Sequence, residues 1–149
     1  MLPVLSTAGA GRVNHFIKGM KYDHGSSEDG IVHRVFGKKG GAIAPLVVEC
    51  IAENTVDTFG KLTYFSFAKY GEMNGDMMRD PDVVLILMED GRVLPHSYEN
   101  SYVGVYNVYT QIKDGKLMVN SKGAKDLAIS VQGWLKTWVD DNPDAEWTD

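Results

Sequence analysis

Val83-Val84-Leu85-Ile86-Leu87-Met88-Glu89-Asp90-Gly91-Arg92-Val93-Leu94 decides the fold class. From Val83 to Met88 every residue is apolar, and the run is of strand length. Such a run marks a strand covered on both faces. Asp90-Gly91 then supplies a dipeptide that accepts positive φ, so the chain turns sharply and Val93 to Tyr98 returns antiparallel. Working outward, Leu62 to Tyr70 is rich in Tyr, Phe and Thr and reads as a further strand. Phe65 and Phe67 share one face, and Leu62, Tyr64 and Ala68 share the other. Both faces therefore need cover.

The flanks extend the pattern. Ile31 to Phe36 is a short β-branched run, Lys38-Lys39-Gly40-Gly41 a turn, and Ala42 to Ile51 the returning strand. Pro45 favours an edge or a strand start there. A helix over Leu46 to Val56 is the competing reading. Asn74-Gly75 is a tight-turn dipeptide and Asp80-Pro81 a second break. Val103 to Ile112 reads as one strand, Asp114-Gly115 as a turn, and Lys116 to Val119 as its return. A helical period appears at both ends. Val13, Phe16, Ile17 and Met20 form a short stripe, and Leu127, Val131, Trp134, Leu135, Trp138 and Val139 a long one. Ser121 is the expected N-cap of the second helix and Asn142-Pro143 its stop. The expectation is one α+β domain over 1–149. It has an antiparallel sheet of about five to seven strands, a short N-terminal helix, and a C-terminal amphipathic helix packed on the sheet. Residues 1–11 read as a flexible lead-in, 12–141 as the folded core and 142–149 as an acidic tail.

The chain has 149 residues and a formal net charge of −5. The charge is uneven: residues 1–39 are net basic, 40–139 net acidic by the same amount, and 140–149 carry only acids. A neutral body argues against generic nucleic-acid binding, which needs Lys and Arg to neutralise phosphates. One cysteine, Cys50, excludes an intramolecular disulfide and any multi-cysteine zinc site. No apolar run reaches the roughly 20 residues of a membrane span. Met1 to Leu5 is too short for a signal sequence, so the expected compartment is the cytoplasm.

Motifs narrow the chemistry by exclusion. Gly9-Ala10-Gly11 lacks the third glycine of a dinucleotide loop, and Gly37-Lys38-Lys39-Gly40-Gly41 has the wrong spacing for a P-loop. His15, His24, His33 and His96 include no helical His pair. No nucleophile elbow is present, so no catalytic residue is assigned and no cofactor is expected. Two groupings remain. Glu72, Asp76, Asp80 and Asp82 crowd around Asn74-Gly75, where carboxylates could hold a hard cation or simply cap turns. Tyr98, Tyr102, Tyr106 and Tyr109 cluster with Asn100 and Asn107 between them. Tyrosines with a wet hydroxyl suit partner surfaces. On a strand Tyr98, Tyr102 and Tyr106 would share a face, provided a turn near Asn100 does not reset the register.

The run Leu62-Thr-Tyr-Phe-Ser-Phe-Ala-Lys-Tyr-Gly-Glu-Met-Asn74-Gly-Asp-Met-Met-Arg-Asp80-Pro-Asp82 resembles a family of uncharacterised bacterial domains. The Pro95-His-Ser-Tyr98-Glu-Asn100-Ser-Tyr102-Val-Gly104-Val-Tyr106 stretch is similar to a second segment of that family, with Ser101 where an aspartate is usual. The resemblance implies a setting on plasmids, phages and integrative elements, and no established reaction. Its matching residues are Asn74, Gly75, Asp76, Asp80, Pro81, Tyr98, Asn100, Gly104 and Tyr106; taken with Tyr102 of the tyrosine grouping, the candidate binding residues are Asn74, Asp76, Asp80, Tyr98, Asn100, Tyr102 and Tyr106. The leading expectation is a non-catalytic accessory protein of a mobile element, acting through protein contacts and inhibiting a host defence system. Nucleic-acid and membrane partners are not expected, and homo-oligomerisation stays open. The alternative is a small metal-dependent hydrolase using Asp76, Asp80 and Asp82.

Overall fold

A computed structural model describes residues 2–18, 20, 32–36, 45–73 and 76–141, with the backbone alone for 32–34, 70–73, 76–80 and 141. The loop read at Gly25–Gly30, the turns at Lys38–Gly41 and Asn74-Gly75, and the acidic tail lie outside those residues. The elements are α1 (Thr7–Ile17), β1 (Val32–Phe36), β2 (Leu46–Val56), β3 (Gly60–Met73), β4 (Asp76–Met88), β5 (Val93–Asn100), β6 (Val105–Val108), β7 (Thr110–Lys113), β8 (Lys116–Val119) and α2 (Ser121–Asp141). Strands β1 to β6 form one antiparallel six-stranded sheet in sequence order, and β7–β8 form a separate hairpin. The fold is α+β, as expected.

Three layers result. One sheet face carries Phe36, Leu46, Val48, Cys50, Phe65, Phe67, Val83, Leu85 and Val93, which bury against Val13, Phe16 and Ile17 of α1 and Leu127, Val131, Leu135 and Trp138 of α2. Phe16 meets Phe36 edge-on, with ring centroids 5.0 Å apart. The opposite face carries Val56, Leu62, Tyr64, Val84, Ile86, Met88 and Leu94. Ile112, Leu117 and Val119 of the β7–β8 hairpin cover it, together with Leu2 and Val4. The all-apolar run in β4 is therefore buried on both sides, Val83 and Leu85 under helices and Val84 and Ile86 under the hairpin.

Bulges set which residue faces which layer. The β2–β3 register shifts between Cys50 and Ala52, leaving Ile51 as an extra residue. Before it, Leu46, Val48 and Cys50 point to the helices; after it, Ala52 and Val56 belong to the hairpin side. A bulge turns the alternation over, since side chains repeat every two residues. That shift also explains why the apolar pattern of Leu46–Val56 imitates a helix, although all of it is strand. Pro45 stands immediately before β2, at a strand start, but β2 lies inside the sheet between β1 and β3.

Four other expectations are corrected. Asp80-Pro81 does not break the chain: β4 runs through it, and both residues sit opposite Lys69 in a bulge, where a residue without an N–H is tolerated. Val103 to Ile112 is not one strand, because Ser101–Gly104 form a turn and Tyr109 separates β6 from β7. Residues 8–11 are not a lead-in. They form the start of α1, which Ser6 caps by accepting a hydrogen bond from the Gly9 N–H at 3.1 Å. The N-cap of α2 is Asn120, whose Oδ1 accepts from the Gly123 N–H at 3.1 Å, and Ser121 is the first helical residue. Asp114-Gly115 does turn as read, with φ of 53° and 73°.

Candidate functional site

Asp76, Asp80 and Asp82 are spread along one strand. Asp76 and Asp82 lie six positions apart on the extended strand β4. That is about 20 Å of chain, whereas two aspartates sharing one ion need Cα atoms within roughly 12 Å. Asp82 is half-buried and accepts a 2.6 Å hydrogen bond from Ser66 Oγ on β3. It pairs in register with Glu99 of β5. For Asp76 and Asp80 the backbone alone is described, and Asn74 lies outside the described residues. Among the described residues no group of three or more His, Cys, Asp or Glu could hold a metal ion.

The tyrosine grouping splits in two. The Ser101–Gly104 turn makes β5 and β6 a hairpin in which Tyr98 pairs with Asn107 and Glu99 with Tyr106. Tyr98 therefore faces α2 and Tyr106 the other side, so the shared face expected of Tyr98, Tyr102 and Tyr106 is not formed. Asn100 has a local structural role: its Oδ1 accepts from the Tyr102 N–H at 3.0 Å, which shapes the turn.

The structure brings together a surface around β6, the outermost strand on its side of the sheet. Tyr109 N–H donates to the His96 carbonyl at 2.7 Å, in register with the β5–β6 ladder. Narrow pairs alternate along an antiparallel ladder, so the backbone groups of Val105 and Asn107 face β5 and those of Tyr106 and Val108 face outward. The side chains around that edge are open as well. Val103 is 68% exposed, Tyr106 63%, Val108 46% and Tyr102 39%.

A groove lies on each side of the edge. On the helix side, Tyr98, Asn107 and Tyr109 face Asp126, Ser130 and Trp134 of α2 around a volume of about 370 Å³. Tyr98 stacks on Trp134 at 5.7 Å and 26°, and Trp134 leans on Trp138 at 6.4 Å. Gly123 lets the Tyr109 ring approach the first turn of α2, since a Cβ there would fall 2.5 Å from the ring. On the hairpin side, Val108, Gln111 and Met118 line a groove of about 420 Å³. Met118 is 47% exposed.

His96 anchors this corner. It is the extra residue of a third bulge, between Val84 and Leu85 in the β4–β5 register. Its ring Nδ1 hydrogen-bonds Thr110 Oγ1, and its ring meets Tyr64 edge-on at 5.1 Å. Burial holds its pKa below the ordinary imidazole value. Cys50 is buried, and desolvation first, then the nearby Glu53 charge, raises its thiol to about 11. A buried thiol that stays protonated at neutral pH is a poor nucleophile.

Reasoning from sequence reached Tyr98, Tyr102 and Tyr106 but missed Val103, Val108, Asp126 and Trp134 as surface partners. The turn near Asn100 was the available clue that β5 and β6 form a hairpin with an open outer edge. No helix among the described residues is long and apolar enough to cross a membrane. No curated protein and no solved structure matches the chain significantly. A model of the family described as "Domain of unknown function (DUF6908)" matches residues 17–139. With most of its length matched, the chain belongs to that uncharacterised family, DUF6908.

Proposed function

We propose that the protein is a non-catalytic binding protein that docks an extended segment of a partner protein as an added strand on β6. The observation that supports this reading is the outer edge itself. Tyr106 and Val108 direct backbone hydrogen-bonding groups away from β5, and their side chains stay exposed. Proteins usually blunt such an edge with charge, proline or a cover, because an open edge recruits another strand. Among the described residues β6 carries none of these: its own residues are Val, Tyr, Asn and Val. Main-chain bonds would give affinity, and alternate side chains over the two grooves would give selectivity. The family resemblance supplies the setting we propose: an accessory protein of a mobile genetic element, acting in the cytoplasm on a component of a host defence system.

The test is capture from host lysate with the intact chain, with Tyr106→Lys and with Val108→Lys. The reading expects a protein retained by the unchanged chain and lost by both variants, with melting temperatures unaltered. The same protein retained by both variants would overturn it. So would a dimer in light scattering that Tyr106→Lys converts to monomer, which would give the edge to a second copy.

A further inference from the structure

The helix-side groove has a chemistry of its own. Three aromatic side chains, Tyr98, Tyr109 and Trp134, line it together with one carboxylate, Asp126. Among the described residues no lysine or arginine lines it. Asp126 is exposed, and among the described residues it makes no ion pair. Aromatic faces are electron-rich and attract cations, most strongly for Trp and Tyr. A carboxylate beside them offers two acceptor oxygens to a planar donor fork. Ser130 and Asn107 add polar rims on opposite walls.

The location matters as much as the chemistry. A strand added to β6 would lie about 4.8 Å beyond it and send every second side chain to the helix side. The Asn107 position marks that side, because Asn107 pairs with Tyr98, which stacks on α2. We infer that the groove between β6 and α2 is an arginine pocket: it receives a guanidinium from the docked segment, seated against Tyr98 and Tyr109 and paired with Asp126. This rests on the edge-docking reading for its setting, but the pocket is a separate site with a separate ligand. The acid-only charge of the lining selects a basic side chain, and the flat aromatic walls select arginine over lysine.

The test uses the full chain, labelled with ¹⁵N, and three probes: N-acetyl-arginine N-methylamide, its citrulline counterpart and its leucine counterpart. Citrulline keeps the shape and removes the charge. Shifts are followed at the Trp134 indole N–H and the Asp126 and Tyr109 amides. The expected result is a saturable response to arginine at these positions, about threefold to fivefold tighter than to citrulline, the range of one exposed cation–aromatic or ion-pair contact. Asp126→Asn should remove the preference without moving the melting temperature, and Tyr106→Lys should leave the arginine response intact, since Tyr106 lies on the other side of the sheet. Equal responses to arginine and citrulline, or shifts scattered away from the groove, would overturn the pocket. If Tyr106→Lys abolishes partner capture and the arginine preference is absent, the pocket falls and the edge reading stands. If the preference is present and capture survives Tyr106→Lys, the edge reading falls and the pocket stands.

Discussion

Gly123→Ala and Gly133→Ala form a matched pair on α2 that measures how firmly Tyr109 is seated. In an unobstructed helix, alanine for glycine stabilises by about 0.5–1 kcal/mol, because the unfolded glycine has more freedom to lose. Gly133 meets that condition, since a Cβ there has no heavy atom within 4 Å. At Gly123 the added Cβ would lie 2.5 Å from both Cδ1 and Cε1 of Tyr109. Ordinary carbon contacts are about 3.5–4.0 Å, so something must move by about 1 Å or more. The Tyr109 backbone is held at both ends, its N–H by the His96 carbonyl and its carbonyl by the Asn120 N–H, each at 2.7 Å. The shift therefore falls on the ring, and overpacking of this kind costs about 1–3 kcal/mol. Gly133→Ala should gain up to about 1 kcal/mol and Gly123→Ala should lose about 1 kcal/mol, a separation near 2 kcal/mol. Urea unfolding of both variants measures it as a difference in midpoint at constant slope. In a thermal scan the separation is roughly 4–8 °C. Equal stability of the two variants would refute the reasoning, and with it the Tyr109 wall of the groove.

Three further expectations follow from single contacts. Asn120→Ala should cost about 1 kcal/mol, because it removes the acceptor for the Gly123 N–H at the start of α2; far-UV melting checks it. His96 has a folded pKa below its unfolded value, so the unfolded chain binds more protons below about pH 6.5 and the contribution of this group to stability is lost as pH falls from there toward the folded pKa. Denaturation midpoints measured across that window should slope downward on acidification, and His96→Gln should flatten the slope. Cys50, with its thiol raised to about 11, should resist alkylation by iodoacetamide near pH 8 in the folded protein and react fully in urea. Prompt labelling without denaturant would contradict its burial.

Much of the architecture was legible because burial writes itself into periodicity. Val83 to Met88 announced a strand covered twice, and the Leu127 to Val139 stripe announced a helix packed on one face. The bulges were not legible. An extra residue at Ile51, His96 or Pro81 leaves each half-pattern intact and only changes its phase, which a strand-by-strand reading cannot see. The same limit hid the fate of the tyrosines, since the faces of Tyr98 and Tyr106 depend on the length of the turn at Ser101–Gly104. Asp126 and Trp134 reach the surface beside Tyr98 through tertiary packing of α2 on β5, which no local spacing encodes. Asp76 and Asp82 look like neighbours only while nearness in sequence is taken for nearness in space. On an extended strand it is the opposite.

The Ile51 bulge has a consequence for how this chain can vary in length. Removing Ile51 alone would make Cys50↔Phe65 and Ala52↔Tyr64 consecutive pairs, so the ladder would close with Cys50 still turned to the helices and Val56 to the hairpin side. One residue can thus leave β2 at the bulge without inverting either half, whereas the same loss inside the regular run Val83–Met88 would turn every residue beyond it to the opposite face. Sequences that share this architecture should therefore vary by one residue between Cys50 and Ala52 while holding the spacing within Val83–Met88 constant. The bulge is the point in β2 at which this sheet tolerates a change of strand length.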